Sequence, residues 1–318
     1  MATMRAVVVD PALPDHLGLR EVAPPAPAPA EALVRVNAFS LNLGEVKSAM
    51  TSPAGARPGW DLAGTVEQAA ADGSGPPVGA RVVGFVGSGA WAELVAVPTN
   101  ALAVLPDGVS FAQAATLPVA GLTALHAVEH GTGLLARKAL VTGASGGVGL
   151  FACQLARLTG ARVVGLIRRP NYGQIVAATG VEEVVVDEDG AAAKAHGPYR
   201  LIVESVGGRV LANALGMLAP DGVCVSFGAT ASAQVDFNLW PLVRAGRASL
   251  YGLVLFNELV REPASVGLER LAYLVANDRL RPHIAVEAPW DEVGATAREL
   301  LARHIPGKAV LHVLPSSS

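Results

Sequence analysis

One run of residues has a clear chemical purpose: Ala139-Leu140-Val141-Thr142-Gly143-Ala144-Ser145-Gly146-Gly147-Val148-Gly149. It reads as a β-branched strand that enters a glycine turn and leaves as a helix over 150–159. Glycines let the turn close tightly, so that backbone can approach a pyrophosphate. The amides at the helix start bring the positive end of its dipole to the same place. Ser145, Gly146, Gly147, Val148 and Gly149 are therefore the expected phosphate contacts of a dinucleotide. Ala144 replaces the first glycine of the G-x-G-x-x-G spacing, but the strand, turn, helix order is correct and a second βα unit follows. Nineteen residues beyond Gly149, where an NAD-preferring protein would place an acidic side chain, stand Arg168-Arg169-Pro170-Asn171-Tyr172. Two guanidinium groups there suit a ribose 2′-phosphate, hence NADPH. The plainer alternative is a pair of solvated arginines at a strand end, and Asp187 would oppose the phosphate if it reached the same pocket.

The other reactive residue types exclude more than they suggest. Cys153 and Cys224 alone build neither a disulfide framework nor a four-cysteine zinc site. Cys153 falls inside the helix after the glycine turn and Cys224 in an apolar strand, so both read as core thiols. Seven histidines are scattered without ligand spacing. His126 and His130 share a helix face but have no further ligand, so they read as helix-surface or core residues. With 24 basic and 27 acidic side chains, a net charge of −3 and no Lys/Arg block, the chain has no nucleic-acid footprint. No apolar run reaches the roughly 20 residues of a membrane span. The N-terminus has no signal-peptide layout, so a soluble, cytoplasmic protein is expected.

These residues need a scaffold, and 318 residues with 51% hydrophobic and 16% charged can bury a large core as two domains or one large one. The first hundred residues read as short strands and turns, including 32–36, 64–66 and 81–85, a β-rich lobe with a stiff extended connection at Pro24, Pro25, Pro27 and Pro29. From about Phe111, Ala-rich helical stretches alternate with apolar runs at 138–142, 162–167, 183–186, 201–204, 223–227 and 250–255. Six such strands describe an α/β fold with a doubly wound parallel sheet. The last sixty residues read as a helix near 265–277, a strand near 283–288, a helix near 291–303 and a strand at 309–314, returning to the first lobe.

Several widely spaced segments accompany the glycine turn: Pro58-Gly59-Trp60-Asp61-Leu62-Ala63-Gly64, Ala90-Trp91-Ala92-Glu93, Leu105-Pro106-Asp107-Gly108-Val109, Ala120-Gly121-Leu122-Thr123 and Gly307-Lys308-Ala309-Val310. Together they resemble the zinc-independent quinone oxidoreductase branch of the medium-chain dehydrogenase/reductase superfamily. The resemblance implies a GroES-like catalytic lobe over 1–118 and 258–318, a Rossmann domain over 119–257 and an NADPH site in the cleft. The zinc enzymes of that superfamily ligate metal through an early Cys and a Gly-His-Glu triplet. This chain has Asn42-Leu43-Gly44-Glu45 and Gly59-Trp60-Asp61 instead, and Trp60 cannot ligate zinc.

Without metal, hydride delivery suits a conjugated acceptor, a quinone or an α,β-unsaturated carbonyl, whose carbonyl delocalises the arriving charge. The resemblance implies that Asn42 and Thr123 lie near the nicotinamide, unless they serve only in turn and cap chemistry. It also implies that Val206, Gly228, Gly252, Leu253 and Val254 border the cofactor, and that Trp60, Trp91 and Phe256 line the acceptor pocket, with Trp91 equally suited to the core. Relatives commonly place a Tyr shortly after the early Leu-Asn, and 43–57 has none. The proton donor stays open among Lys47, Asp61, Tyr251 and solvent. The stretch Ile167-Arg168-Arg169-Pro170 is also similar to the phosphate-binding stretch of enoyl thioester reductases. A non-catalytic NADPH-binding role is the alternative of another class. The run 247–256 is expected to form the sixth strand, and in the resembling family that edge pairs with its copy in a homodimer.

Overall fold

The computed structural model describes residues 3–313. In chain order the strands are β1 Met4–Val9, β2 Leu17–Val22, β3 Glu31–Leu41, β4 Asp61–Gln68, β5 Arg81–Phe85, β6 Leu94–Pro98, β7 Leu102–Val104, β8 Lys138–Thr142, β9 Arg162–Ile167, β10 Glu183–Val186, β11 Tyr199–Glu204, β12 Leu218–Ser226, β13 Ser249–Gly252, β14 Ile284–Pro289 and β15 Lys308–His312. The chain divides into two compact units: one ends at Leu122 and resumes at Arg261, and the other is Thr123–Val260. The sequence reading set these breaks at 118/119 and 257/258.

The first unit is built on β3, which pairs antiparallel with β15, β4 and β6 in a sheet of order β14-β15-β3-β4-β5-β7. β3 alternates buried and outward residues along its first half and is buried throughout its last four, Ala38 to Leu41, where neighbours cover both faces. Ala309 lies opposite Leu41, so the returning chain delivers the preceding residue, Lys308, to the end of β3. The prolines after β2 run without regular structure, as φ-restricted residues lacking N–H donors must. The last strand ends at His312, and Leu314, placed in it by the sequence reading, lies outside the described residues.

The second unit is a six-stranded sheet of order β10-β9-β8-β11-β12-β13, parallel at every pairing. Val- and Ile-rich β8, β9 and β11 are almost wholly buried, the pattern of strands covered on both faces. The expected strands at 138–142, 162–167 and 183–186 are found as such, whereas β11 and β12 begin two and five residues earlier. The helix after the glycine turn starts at Gly147 rather than 150, drawing two glycines into its first turn.

The sixth strand requires correction. β13 stops at Gly252, and Leu255–Arg261 is a helix, opened by the bonds from Asn257 N and Glu258 N to the Val254 carbonyl. An apolar run of this length fits strand or helix equally well by periodicity, and here the buried Glu258, which accepts from the Tyr251 hydroxyl at 2.6 Å, turns the chain.

β4 lies against β3 so closely that a Cβ on Gly64 would stand 2.1 Å from the Arg35 carbonyl oxygen. Gly64→Ala should therefore push the two strands apart and lower the stability of the first unit by about 1–3 kcal/mol or more. A urea-unfolding midpoint equal to the wild type's would contradict this close approach.

Candidate functional site

In the second unit the expected cofactor residues gather at the carboxyl ends of the parallel strands, where open α/β sheets bind ligands. The turn after β8 is tight: a Cβ on Gly149 would stand 2.4 Å from the Gly143 carbonyl oxygen, and Gly143 itself has φ +57°. No side chain caps the helix Gly147–Leu158. Arg168 and Arg169 follow the end of β9; Arg168 is exposed, and Arg169 lies over the Tyr172 ring. Asp187, the possible counterweight, spends its carboxylate locally, accepting from the N–H groups of Glu188 and Ala192.

Beyond β11, the buried Glu204 carboxylate accepts from Val206 N at 2.7 Å and Gly207 N at 2.9 Å, and from the hydroxyls of Thr142 and Ser226 at 3.3 Å. Burial pushes its pKa up. It thereby clips the ends of β8, β11 and β12 together and holds Ser205 and Val206 in a turn against Gly228, where a Cβ would stand 3.0 Å from the Ser205 carbonyl oxygen. The Leu253 N–H donates to the Ser226 carbonyl, which sets Gly252, Leu253 and Val254 after the end of β13. Thr123 is buried in the helix Leu122–Glu129. Phe256, 41% exposed, stands on a helix rather than on the expected strand. Cys153 and Cys224 are wholly buried; desolvation pushes the Cys153 thiol up to about 12 and the Cys224 thiol further up, so both are inert core residues.

The first unit holds a buried polar cluster that the sequence reading did not assemble. The Lys308 ammonium, 3% exposed, donates to Leu41 O at 3.0 Å and Asn42 Oδ1 at 2.5 Å, and lies 3.4 Å from Asp61 Oδ2. Asp61, fully buried, also accepts from Ser40 Oγ at 2.6 Å, Asn42 Nδ2 at 2.7 Å and Val119 N at 2.9 Å. Glu45 accepts from Asn42 N and Nδ2 and from Trp60 N. Asn42 is thus held in one orientation, with its carbonyl oxygen on Lys308 and its amide nitrogen on the carboxyl groups of Glu45 and Asp61. Its contribution is a fixed shape rather than a movable donor. The one signal for Glu45 was its place three residues after Asn42, the spacing of a capping box. Lys308 stands in the sequence only as part of Gly307-Lys308-Ala309-Val310, since a lone lysine at the edge of an apolar strand shows no partner there.

Trp60 is half-buried and borders a cavity of about 120 Å³. Trp91 does not belong with it. It is fully buried, stacks on Phe39 at 5.5 Å and packs so closely on Gly59 that a Cβ there would meet its backbone nitrogen at 2.6 Å. Of the two roles the sequence offers Trp91, acceptor pocket or core, the structure gives the second, because its ring is wholly enclosed. Of the proposed proton donors, Lys47 is exposed, Asp61 is consumed by its four partners and the Tyr251 hydroxyl donates to Glu258.

Burial, and then repulsion from Asp61, raise the Glu45 pKa well above its usual 4.5. A carboxyl that holds its proton more tightly when folded contributes stability that is complete below the unfolded pKa and is lost as pH rises through the folded one. Glu45→Gln, a neutral stand-in, should therefore gain on the wild type in Tm as pH rises from about 5 to about 8. A difference that does not vary with pH would show Glu45 to be ionised throughout.

Comparison with known proteins agrees with both units. The family described as "Zinc-binding dehydrogenase" matches residues 147–268, and that described as "Alcohol dehydrogenase GroES-like domain" matches residues 28–107. A quinone oxidoreductase of Rattus norvegicus is 31% identical over 311 residues, covering 93% of this chain and 92% of its own. One from Pseudomonas aeruginosa is 28% identical over 312 residues, covering 94% and 96%. Among solved structures, the quinone oxidoreductase from Coxiella burnetii matches with a TM-score of 0.85 at 26% identity, over 98% of this chain and all of that one. The six-stranded parallel sheet, the GroES-like lobe rebuilt from both chain ends and the extent of these matches place the chain in the medium-chain dehydrogenase/reductase superfamily, in its quinone oxidoreductase-like branch.

Proposed function

We propose that this oxidoreductase uses NADPH, without a metal, to reduce a conjugated acceptor, a quinone or an α,β-unsaturated carbonyl. The observation that carries the reading is the glycine turn with its uncapped helix, followed at the next strand end by Arg168 and Arg169. The cradle fits a dinucleotide: the space a Cβ of Gly149 would fill is closed by the Gly143 carbonyl, and the helix start is left to an anion. NADPH, when bound, supplies a hydride for the acceptor's β-carbon, and a proton from solvent completes the two-electron reduction.

The chain's own part is to hold the phosphates on backbone amides, to keep the Ser205–Val206 turn fixed through Glu204, and to offer guanidinium groups to the 2′-phosphate. Trp60 would border the acceptor, with Asn42 immobilised behind it by Lys308. The residues at the zinc-ligand positions support metal independence, since Trp60 offers no ligand atom and Glu45 is engaged by three N–H groups.

The working form is a C2 homodimer. The edge strand β13 leaves Leu250 48% exposed, and the helix Leu239–Ala245 of the same unit exposes Leu239, Trp240 and Val243. An apolar face beside an unpaired strand edge is a hazard that a second copy would cover.

Two experiments test this reading. In an NADPH-oxidation assay over quinones, enones and enals run with excess chelator, Arg168→Ala/Arg169→Ala should weaken NADPH at least about tenfold more than NADH, because charge-assisted bonds to the 2′-phosphate are lost. An unchanged preference would overturn the cofactor assignment, and loss of activity on chelation the metal independence. Light scattering should report a dimer at micromolar concentration, with Leu250→Asp shifting it to monomer; a monomeric wild type would overturn the assembly.

A further inference from the structure

The cavity beside Trp60 is lined by a cation that the proposed reaction, as described, does not use. Its lining includes Glu45, Ser48, Ser52, Arg57, Trp60 and Ser88. The Arg57 Nε is buried with no hydrogen-bond partner, and no acidic side chain among the described residues forms an ion pair with its guanidinium. Burial lowers its pKa accordingly. The other ionisable group of the lining, Glu45, gives its carboxyl to Asn42 and the Trp60 N–H. Arg57 is nonetheless firmly seated. The neighbouring Ala56 carbonyl accepts from Val9 N at 2.9 Å, the Gly59 carbonyl accepts from Ala90 N at 3.1 Å, and the Ser88 hydroxyl donates to the Arg57 carbonyl. A rigid loop that presents a partly desolvated, unpaired guanidinium to a cavity is costly unless an anion completes it.

We propose that this cavity is a carboxylate seat, in which Arg57 binds an acidic group at one end of the acceptor while Trp60 covers the adjoining carbons. The proposal rests on the reading of Trp60 as bordering the acceptor and names the substrate class, a conjugated carbonyl that carries a carboxylate. At about 120 Å³ the space is below the roughly 300 Å³ at which pockets begin to enclose a whole drug-sized ligand, so it suits one end of a substrate rather than a fused-ring quinone. Arg is the apt residue, because its planar fork can meet both carboxylate oxygens.

The test compares 4-oxopent-2-enoate with its methyl ester, which shares the enone skeleton but lacks the negative charge. The ester is intrinsically the more electrophilic of the two, so that any preference for the acid comes from the protein. The wild type should favour the acid in kcat/KM by at least about tenfold. Arg57→Gln should remove most of that preference through KM, and Arg57→Lys should keep part of it. An equal preference for acid and ester in the wild type, or an Arg57→Gln enzyme that retains the acid preference, would overturn the seat. Titration calorimetry with the saturated product, 4-oxopentanoate, against its methyl ester separates this result from the proposed activity. If neither enone is turned over, the reductase reading fails, whereas acid-selective binding that Arg57→Gln abolishes still supports the seat. Absence of such binding overturns it, and matching Tm values establish that the variants are folded.

Discussion

The first unit depends on one buried ion pair. Asp61 has no exposure to water, and its carboxylate ties the end of β3, the entry to the following helix, the peptide N–H of Val119 and the returning strand that carries Lys308. Asp61 and Lys308 are themselves 247 residues apart along the chain. A buried pair of this kind adds little net stability against an apolar replacement, because desolvation offsets the attraction. Its effect is to specify the structure: with either charge removed, the other is left uncompensated at a cost of about 3–5 kcal/mol, so register and closure of the lobe are fixed together.

The second unit reaches the same end with one carboxylate and no cation. Glu204 is satisfied by two peptide N–H groups and two hydroxyls at the ends of three parallel strands. In a parallel sheet the strand ends fan into loops with unpaired donors, and a carboxylate set among them converts loops into fixed turns. The glycine turn needs no such clip. Its conformation is dictated by close backbone approach, the Gly143 carbonyl occupying the space of a Gly149 side chain.

Both units therefore place buried acidic groups directly behind the residues proposed to meet ligand. Asn42 is held from behind by Lys308 and two carboxyl groups, and the Ser205–Val206 turn by Glu204. Such placement separates the polar groups that stabilise geometry from those left without a charged partner, such as Arg57 and Arg168, for which the described residues supply no ion pair.

Much of this was legible in the sequence. Periodicity and β-branched runs located β8, β9 and β10 to the residue, because β8 and β9, buried on both faces, are almost uniformly apolar, and the edge strand β10 is an unbroken run of three valines after Glu183. The glycine turn and the paired arginines were likewise visible, since their chemistry depends on near neighbours in the chain. The end of β13 was not, because Leu253-Val254-Leu255-Phe256 satisfies strand and helix patterns alike and the choice is made by Glu258 and Tyr251 in three dimensions. Nor could the sequence separate Trp60 from Trp91, two tryptophans in similar company, of which only the second is enclosed by Phe39 and Gly59. Local pattern determined the elements and the phosphate turn. The partners of Asp61, Lys308 and Glu204, and the want of one at Arg57, were decided by tertiary structure alone, because the energy of a buried charge depends on what surrounds it and not on its neighbours in sequence.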